Sequence, residues 1–354
     1  MSRAKGVALY AHPGCMLLET HPPMRRPDLR RLFFMLLASV LMSATGLAES
    51  VSREIKVLSA MAEMGVAQAQ FQLGLRYDLG KGVPNDFAEA IKWYRKAAEQ
   101  GDVVAQFNLG IIYANGKGVP KDLAEALRWY RQAAEHGYAH AQFQLGLRYD
   151  LGEGVPNDFA EAIKWYLKAA EQGDVVAQFN LGIIYYYGKG VPKDLAEALR
   201  WYRKAAEQGY AQAQSNLAHM YEIGKGVPKD LAQALKWYRK AAEQGLPEAQ
   251  FNLGIMYDEC EGLPRDSAEA VKWYRKAAEQ GYGQAQVNLA SMYYEGQGVA
   301  KDLMEAYAWF NLAASKGDEV ARKNLGFLEK QMSAASILEG KKRAKELMKE
   351  IGKK

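Results

Sequence analysis

The chain has 354 residues, 49% of them apolar, and a formal net charge of +5. Six basic side chains (Arg3, Lys5, Arg25, Arg26, Arg30, Arg31) and two acids (Glu19, Asp28) fall in residues 1–48, so the remainder sets 40 basic groups against 39 acidic ones. A near-neutral body excludes the electrostatic footprint of a nucleic-acid binder, and the apolar content is enough for a continuous core.

Residues 1–23 have no periodicity, and Met24 is a candidate start. Residues 24–48 read as a secretory signal, with Arg25, Arg26, Arg30 and Arg31 as the positive region and Leu32 to Met42 as the apolar run. Gly46-Leu47-Ala48 supplies small residues for cleavage before Glu49. The run is short for a membrane span, and an uncleaved N-terminal anchor is the alternative. The pair Arg30-Arg31 is weak support for a twin-arginine signal. The expected location is export, to the periplasm or outside the cell. Of the two cysteines, Cys15 precedes the cleavage point, so Cys260 is left alone and no intrachain disulfide can form.

From residue 49 onward the chain is periodic. All seven tryptophans (Trp93, Trp129, Trp165, Trp201, Trp237, Trp273 and Trp309) lie 36 residues apart. A unit this small cannot bury its apolar face alone and must stack on its neighbours. The spacing predicts an all-α solenoid: a half-repeat over 49–64, then repeats at 65–100, 101–136, 137–172, 173–208, 209–244, 245–280 and 281–316. A further half-repeat and a basic capping helix occupy 317–354. Lys341–Lys354 holds seven basic and two acidic residues. Its default role is a polar end cap; with an uncleaved signal, it is the one place where membrane contact would arise.

Each repeat predicts two helices. The first runs roughly from Ala67 to Leu79, with Ala69, Leu73 and Tyr77 on one face. The loop Gly80-Lys81-Gly82-Val83-Pro84-Asn85 follows, and Pro84 blocks helix continuation. Asp86 and Glu89 open the second helix as a capping box, repeated as Asp122/Glu125, Asp158/Glu161, Asp194/Glu197, Asp230/Gln233, Asp266/Glu269 and Asp302/Glu305. Gly101 ends it. Gly74, Ala90, Ala97 and Ala98 are small where helices should touch, and Trp93 and Tyr94 fill the rest, so the tryptophans are structural. Lys92, Arg95 and Lys96 form a solvated face, paired with Glu89 and Glu99.

The units A-Q-F-x-L-G-x-x-Y, G-x-G-V-P-x-D and A-x-x-W-Y-x-x-A-A-x-x-G resemble the Sel-one-like repeat (SLR) family, relatives of the tetratricopeptide repeats, over residues 50–330. The resemblance implies a non-catalytic scaffold for protein assemblies, often exported in bacteria. It also implies that the first helix of each pair lines the concave side. In the first repeat the inward positions would be Gln68, Phe71, Gln72, Leu75, Asp78 and Leu79. Two rows follow down the stack. One is Phe71, Phe107, Phe143, Phe179, Ser215, Phe251 and Val287; the other is Gln72, Asn108, Gln144, Asn180, Asn216, Asn252 and Asn288. Amides both donate and accept, which suits an extended peptide backbone, and aromatic rings suit its side chains. The same residues also read as a packing consensus.

Repeats 1 and 3 agree at 32 of 36 positions, as do repeats 2 and 4. Three of the eight differences fall on inward sites: Gln68/His140, Ala114/Tyr186 and Asn115/Tyr187. The main anchor of a partner is therefore placed around Phe179, Ile183, Tyr186 and Tyr187, with His219 in the same register as Ile183 one repeat on. The expected partner is a protein or extended peptide. The loop of the sixth repeat departs from the pattern at Asp258-Glu259-Cys260-Glu261, and Cys260 reads as a structural thiol. No metal or cofactor site is expected. His136 and His140 are separated by a helix-breaking Gly137, and Gly80-Lys81-Gly82 lacks the residues of a phosphate loop. The chain is not expected to be an enzyme. The first functional expectation is a scaffold or regulator of a bacterial envelope, the second a secreted factor that meets host proteins, and an envelope-polymer hydrolase is a remote third.

Overall fold

The computed structural model describes residues 51, 53–259 and 264–352. The proposed signal and Cys260 lie outside the described residues. Among the described residues there are seventeen helices and no strand. Helix α1 (53–63) is the half-repeat. The first helices of the seven repeats are α2 (Ala67–Leu79), α4 (Val103–Asn115), α6 (Ala139–Leu151), α8 (Val175–Tyr187), α10 (Ala211–Ile223), α12 (Pro247–Asp258) and α14 (Gly283–Glu295). The second helices are α3 (Phe87–Glu99), α5 (Leu123–Glu135), α7 (Phe159–Glu171), α9 (Leu195–Glu207), α11 (Leu231–Glu243), α13 (Ser267–Ala278) and α15 (Leu303–Ser315). Helices α16 (Glu319–Glu329) and α17 (Ala334–Ile351) close the stack. From α2 to α16 each helix packs on the next along the chain, and α17 packs back on α15, so the first helices of repeats 2 to 7 each sit between two second helices.

Local chemistry sets the helix limits. The Asp86 carboxylate accepts the backbone N–H groups of Ala88 and Glu89 at 2.9 and 3.1 Å. All seven second helices carry such an aspartate cap, each contributing about 1 kcal/mol. The other half of the expected capping box does not form. The Asp86 N–H donates instead to the Tyr77 carbonyl at 3.1 Å. The Glu89 carboxylate is thereby released to take Lys92 Nζ at 2.8 Å and the Trp93 indole N–H at 3.0 Å. The basic face is solvated as expected: Lys92, Arg95 and Lys96 are all exposed, and Lys92 pairs with Glu89. The ammonium of the exposed Lys96 also lies 4.3 Å from the centre of the Trp93 ring, a cation–π contact. Arg95 donates to the Tyr113 hydroxyl of the next repeat at 2.6 Å.

The core follows from small residues facing large ones. All seven tryptophans are buried, and Tyr94, Tyr130, Tyr166, Tyr202, Tyr238 and Tyr274 are fully buried. Gly182 lets α8 approach α9 closely: a Cβ there would stand 2.5 Å from Cδ1 and Cε1 of Tyr202. Successive repeats are also tied by loops. Gly118, at φ +74°, has no room for a side chain because Phe87 of the preceding repeat occupies it. At the far end Arg343 of α17 pairs with Glu305 of α15 at 2.6 Å, and Ala344 and Leu347 are buried. The basic terminal helix thus covers the last repeat with one face. Among the described residues no helix is long and apolar enough to cross a membrane.

A buried glutamine, unremarked in the sequence, links the repeats. Gln70 donates from Nε2 to the Ala62 carbonyl at 3.0 Å, at the end of α1, and accepts at Oε1 from Gln100 Nε2 at 2.7 Å. The same pair recurs as Gln142 with Gln172, Gln178 with Gln208, Gln214 with Gln244 and Gln250 with Gln280. Each pair ties the start of one first helix to the end of the second helix that follows it.

Candidate partner-binding face

The first helices present a continuous face, and the two predicted rows lie along it in different roles. The phenylalanines are half-buried. Phe71 and Phe143 lie 5.9 Å, centre to centre, from the buried Tyr94 and Tyr166. Phe107, Phe179 and Phe251 also meet Tyr138, Tyr210 and Tyr282 of the following repeat at 5.1–5.2 Å. These rings are wedged between helices with one side outward, so they both pack and line the surface.

The amides are less free than an open ladder requires. Asn108, Asn180, Asn216 and Asn252 act on the hydroxyls of Tyr94, Tyr166, Tyr202 and Tyr238, one repeat back, whereas the Tyr274 hydroxyl, beside Asn288, is buried without a hydrogen-bond partner among the described residues. Burial pushes all five hydroxyls well above the ordinary tyrosine range, so they remain neutral donors. Three of them also face an acid on the same wall: Tyr94 donates to Asp78 at 3.3 Å, Tyr166 to Asp150 at 3.1 Å and Tyr238 to Glu222 at 2.8 Å. Gln72 and Gln144, in the same row, are half-buried.

The acid position is where the fourth repeat departs. Asp78, Asp150 and Glu222 share one register, and Tyr186 and Tyr294 occupy it in repeats 4 and 7. Beside Tyr186 the wall opens into a recess of about 230 Å3, lined by Ile183, Tyr186, Tyr187, Tyr202, Asn216 and His219. Three of those six, Ile183, Tyr186 and Tyr187, belong to the anchor expected from sequence, whose fourth member, Phe179, is not in the lining; Asn216 and His219 were expected elsewhere on the same face, and Tyr202 was read as filler. Tyr186 and Tyr187 meet edge-to-face at 5.0 Å, and Tyr187 is 67% exposed. Lys225, in the next repeat's loop, donates to the Tyr186 hydroxyl at 2.8 Å and sits 4.2 Å from its ring centre. His219 Nδ1 lies 3.3 Å from Glu222, which also holds Tyr238. These contacts, led by the one with His219, hold the Glu222 carboxyl below its ordinary pKa.

Lys225 was missed in the sequence. The available signal was the register: Lys117 stands 39 residues after Asp78 as Lys225 does after Tyr186, and Lys117 pairs with Asp78 at 2.5 Å. A second recess, of about 180 Å3, lies three repeats on, lined by Ser291, Tyr294, Glu295, Phe310, Asn324, Phe327 and Leu328. The opposite, second-helix face carries a wide cleft of about 710 Å3 lined by Arg95, Gln106, Arg128, Trp129 and His136 among others. His136 bonds the Gln132 carbonyl at 2.8 Å, and His140 lies on the first-helix face against Phe107 and Tyr138.

Stacked helix hairpins with a recessed face of first helices define the class of α-solenoid repeat proteins. The chain belongs to the Sel1 repeat family, whose model matches residues 67–102, 103–138, 139–174, 175–210, 211–246, 247–282 and 283–318. Proteins of this family act as protein-interaction scaffolds. Among solved structures, c5321, a protective antigen of uropathogenic Escherichia coli with an SLR fold, is 40% identical, with a TM-score of 0.77 over 85% of this chain. The chain spans 64% of the length of that protein. A Sel1 repeat protein from Oxalobacter formigenes is also 40% identical, with a TM-score of 0.67 over 79% of this chain and 81% of its own. No functionally curated protein matches the sequence.

Proposed function

We propose that this protein is an exported, non-catalytic scaffold or regulator of the bacterial cell envelope that holds a partner protein along the concave, first-helix face. One observation carries the reading: the recess at Tyr186 and Tyr187 falls where two near-identical repeats, 2 and 4, differ at only four of 36 positions. Two of those four changes build its aromatic wall. Exposed aromatic side chains at a recess are the usual anchors of protein recognition. The test is capture from envelope fractions followed by binding to the purified partner. Tyr186→Ala with Tyr187→Ala should weaken binding at least tenfold, and Arg95→Ala with Arg128→Ala on the opposite face should not. Equal loss from both faces, or from neither, refutes the placement. Fractionation tests the location: protein that stays in the cytoplasm refutes export.

The second reading is a secreted factor that meets host proteins. It is favoured by the 40% identity to a protein described as a protective antigen of uropathogenic strains. Recovery in the culture medium supports it, and retention in the periplasm supports the first.

A further inference from the structure

The recess between α8 and α10 is small and charged on one side. At about 230 Å3 it is below the roughly 300–1,000 Å3 of sites that enclose whole small molecules, and it fits a single side chain. Its walls are the rings of Tyr186, Tyr187 and Tyr202 with Ile183, which take a bulky apolar group. Its edge carries the half-buried Lys225.

The surroundings of Lys225 define what else the ligand must bring. At the junction of the first and second repeats the matching lysine, Lys117, is neutralised by Asp78 of the first at 2.5 Å. In the fourth, Tyr186 stands where that acid was, and Lys225 meets a neutral hydroxyl. The acid one repeat on, Glu222, is already held by His219 and by the Tyr238 hydroxyl. A lysine in a half-buried position, hydrogen-bonded among the described residues to a phenol and to no acid, is complementary to a carboxylate, and a charge-assisted bond there is stronger than one at an open surface. The second recess lacks this chemistry: Ser333 stands in the register of Lys225, and Glu295 in that of Tyr187.

Building on the proposed binding face, we infer that this recess recognises a two-residue element of an extended partner: a bulky apolar side chain in the tyrosine pocket and an adjacent aspartate or glutamate on Lys225 Nζ. The test uses labelled glycine–serine peptides with a central Phe-Glu, Phe-Gln or Phe-Lys, titrated by fluorescence anisotropy into the full chain. Phe-Glu should bind about tenfold tighter than Phe-Gln, and Phe-Lys weaker still. Lys225→Glu should reverse the order. Tyr186→Asp should abolish the Phe-Glu preference while leaving the melting temperature unchanged, because it recreates the Asp78–Lys117 pair that the first repeat already accommodates. Equal affinity for the three peptides, no binding of any of them, or a Tyr186→Asp protein that keeps the preference overturns the inference. If the captured partner still depends on Tyr186 and Tyr187 while the peptides bind alike, the acidic element is wrong and the binding face stands.

Discussion

Replacing His136 by glutamine should stabilise the protein. In five of the seven first helices the buried glutamine accepts a hydrogen bond at Oε1 from a glutamine 30 residues later, at 2.7–2.8 Å; in the last, Gln286, that position is Lys316 and Oε1 has no partner among the described residues. Gln106 is an exception. Its Nε2 reaches the Ala98 carbonyl at 3.0 Å, but position 136 is histidine, which turns to the Gln132 carbonyl. Gln106 Oε1 is left buried without a partner. Repeat 4 has the same surroundings with Gln208 in place. His136→Gln therefore adds one neutral hydrogen bond, about 0.5–1.5 kcal/mol net, while Gln208→His removes one and strands Gln178, costing about 1–3 kcal/mol. The two junctions share no partner, so the double variant should show the sum of the single effects. Urea unfolding followed by circular dichroism measures both, with hydrogen exchange at the α4–α5 junction as the local probe. A shift of roughly 2 °C upward in Tm accompanies 1 kcal/mol in a chain of this size. If His136→Gln leaves stability unchanged, or Gln208→His costs nothing, the glutamine ladder does not hold the repeats together and the argument fails.

Three further outcomes follow from the packing. Trp93→Phe should cost about 1 kcal/mol more than Trp201→Phe, because the Trp93 indole donates to Glu89 and the buried Trp201 indole nitrogen has no acceptor; paired urea melts measure the difference. Gly101→Ala, at φ +91° with open space around it, should cost about 1–2 kcal/mol from backbone strain alone. Gly118→Ala should cost about 1–3 kcal/mol more, because its methyl group meets Phe87; equal thermal shifts would refute the loop contact. The Glu222 carboxyl is held below its ordinary pKa by His219 and then Tyr238. A group depressed in the folded state contributes stability above its unfolded pKa, and loses it as pH falls through the folded value. Stability measured from pH 6 downward should thus fall less steeply below about pH 4.5 in Glu222→Gln than in the parent; identical slopes would show that the contact is not formed in solution.

The sequence alone determined the period, the helix pairs and their limits, since these rest on interactions within a few residues. The first helix runs from Ala67 to Leu79 as its spacing predicted, and Asp86 caps the second. It also pointed to Tyr186 and Tyr187, because two near-copies within one chain expose what changed, and both residues line a recess. What it left open were contacts spanning more than one helix. Glu89 reads as a capping partner until the fold gives the Asp86 N–H to Tyr77. Gln70 carries no signal of its own until stacking encloses it with Gln100. Lys225 reads as a turn residue until the stack brings it onto Tyr186, 39 residues earlier. Hydrophobic periodicity records which face of a helix is buried, but not which atoms of the next repeat it meets. Only the angle and register of stacking decide which buried polar atoms find partners and which charges are left for a ligand.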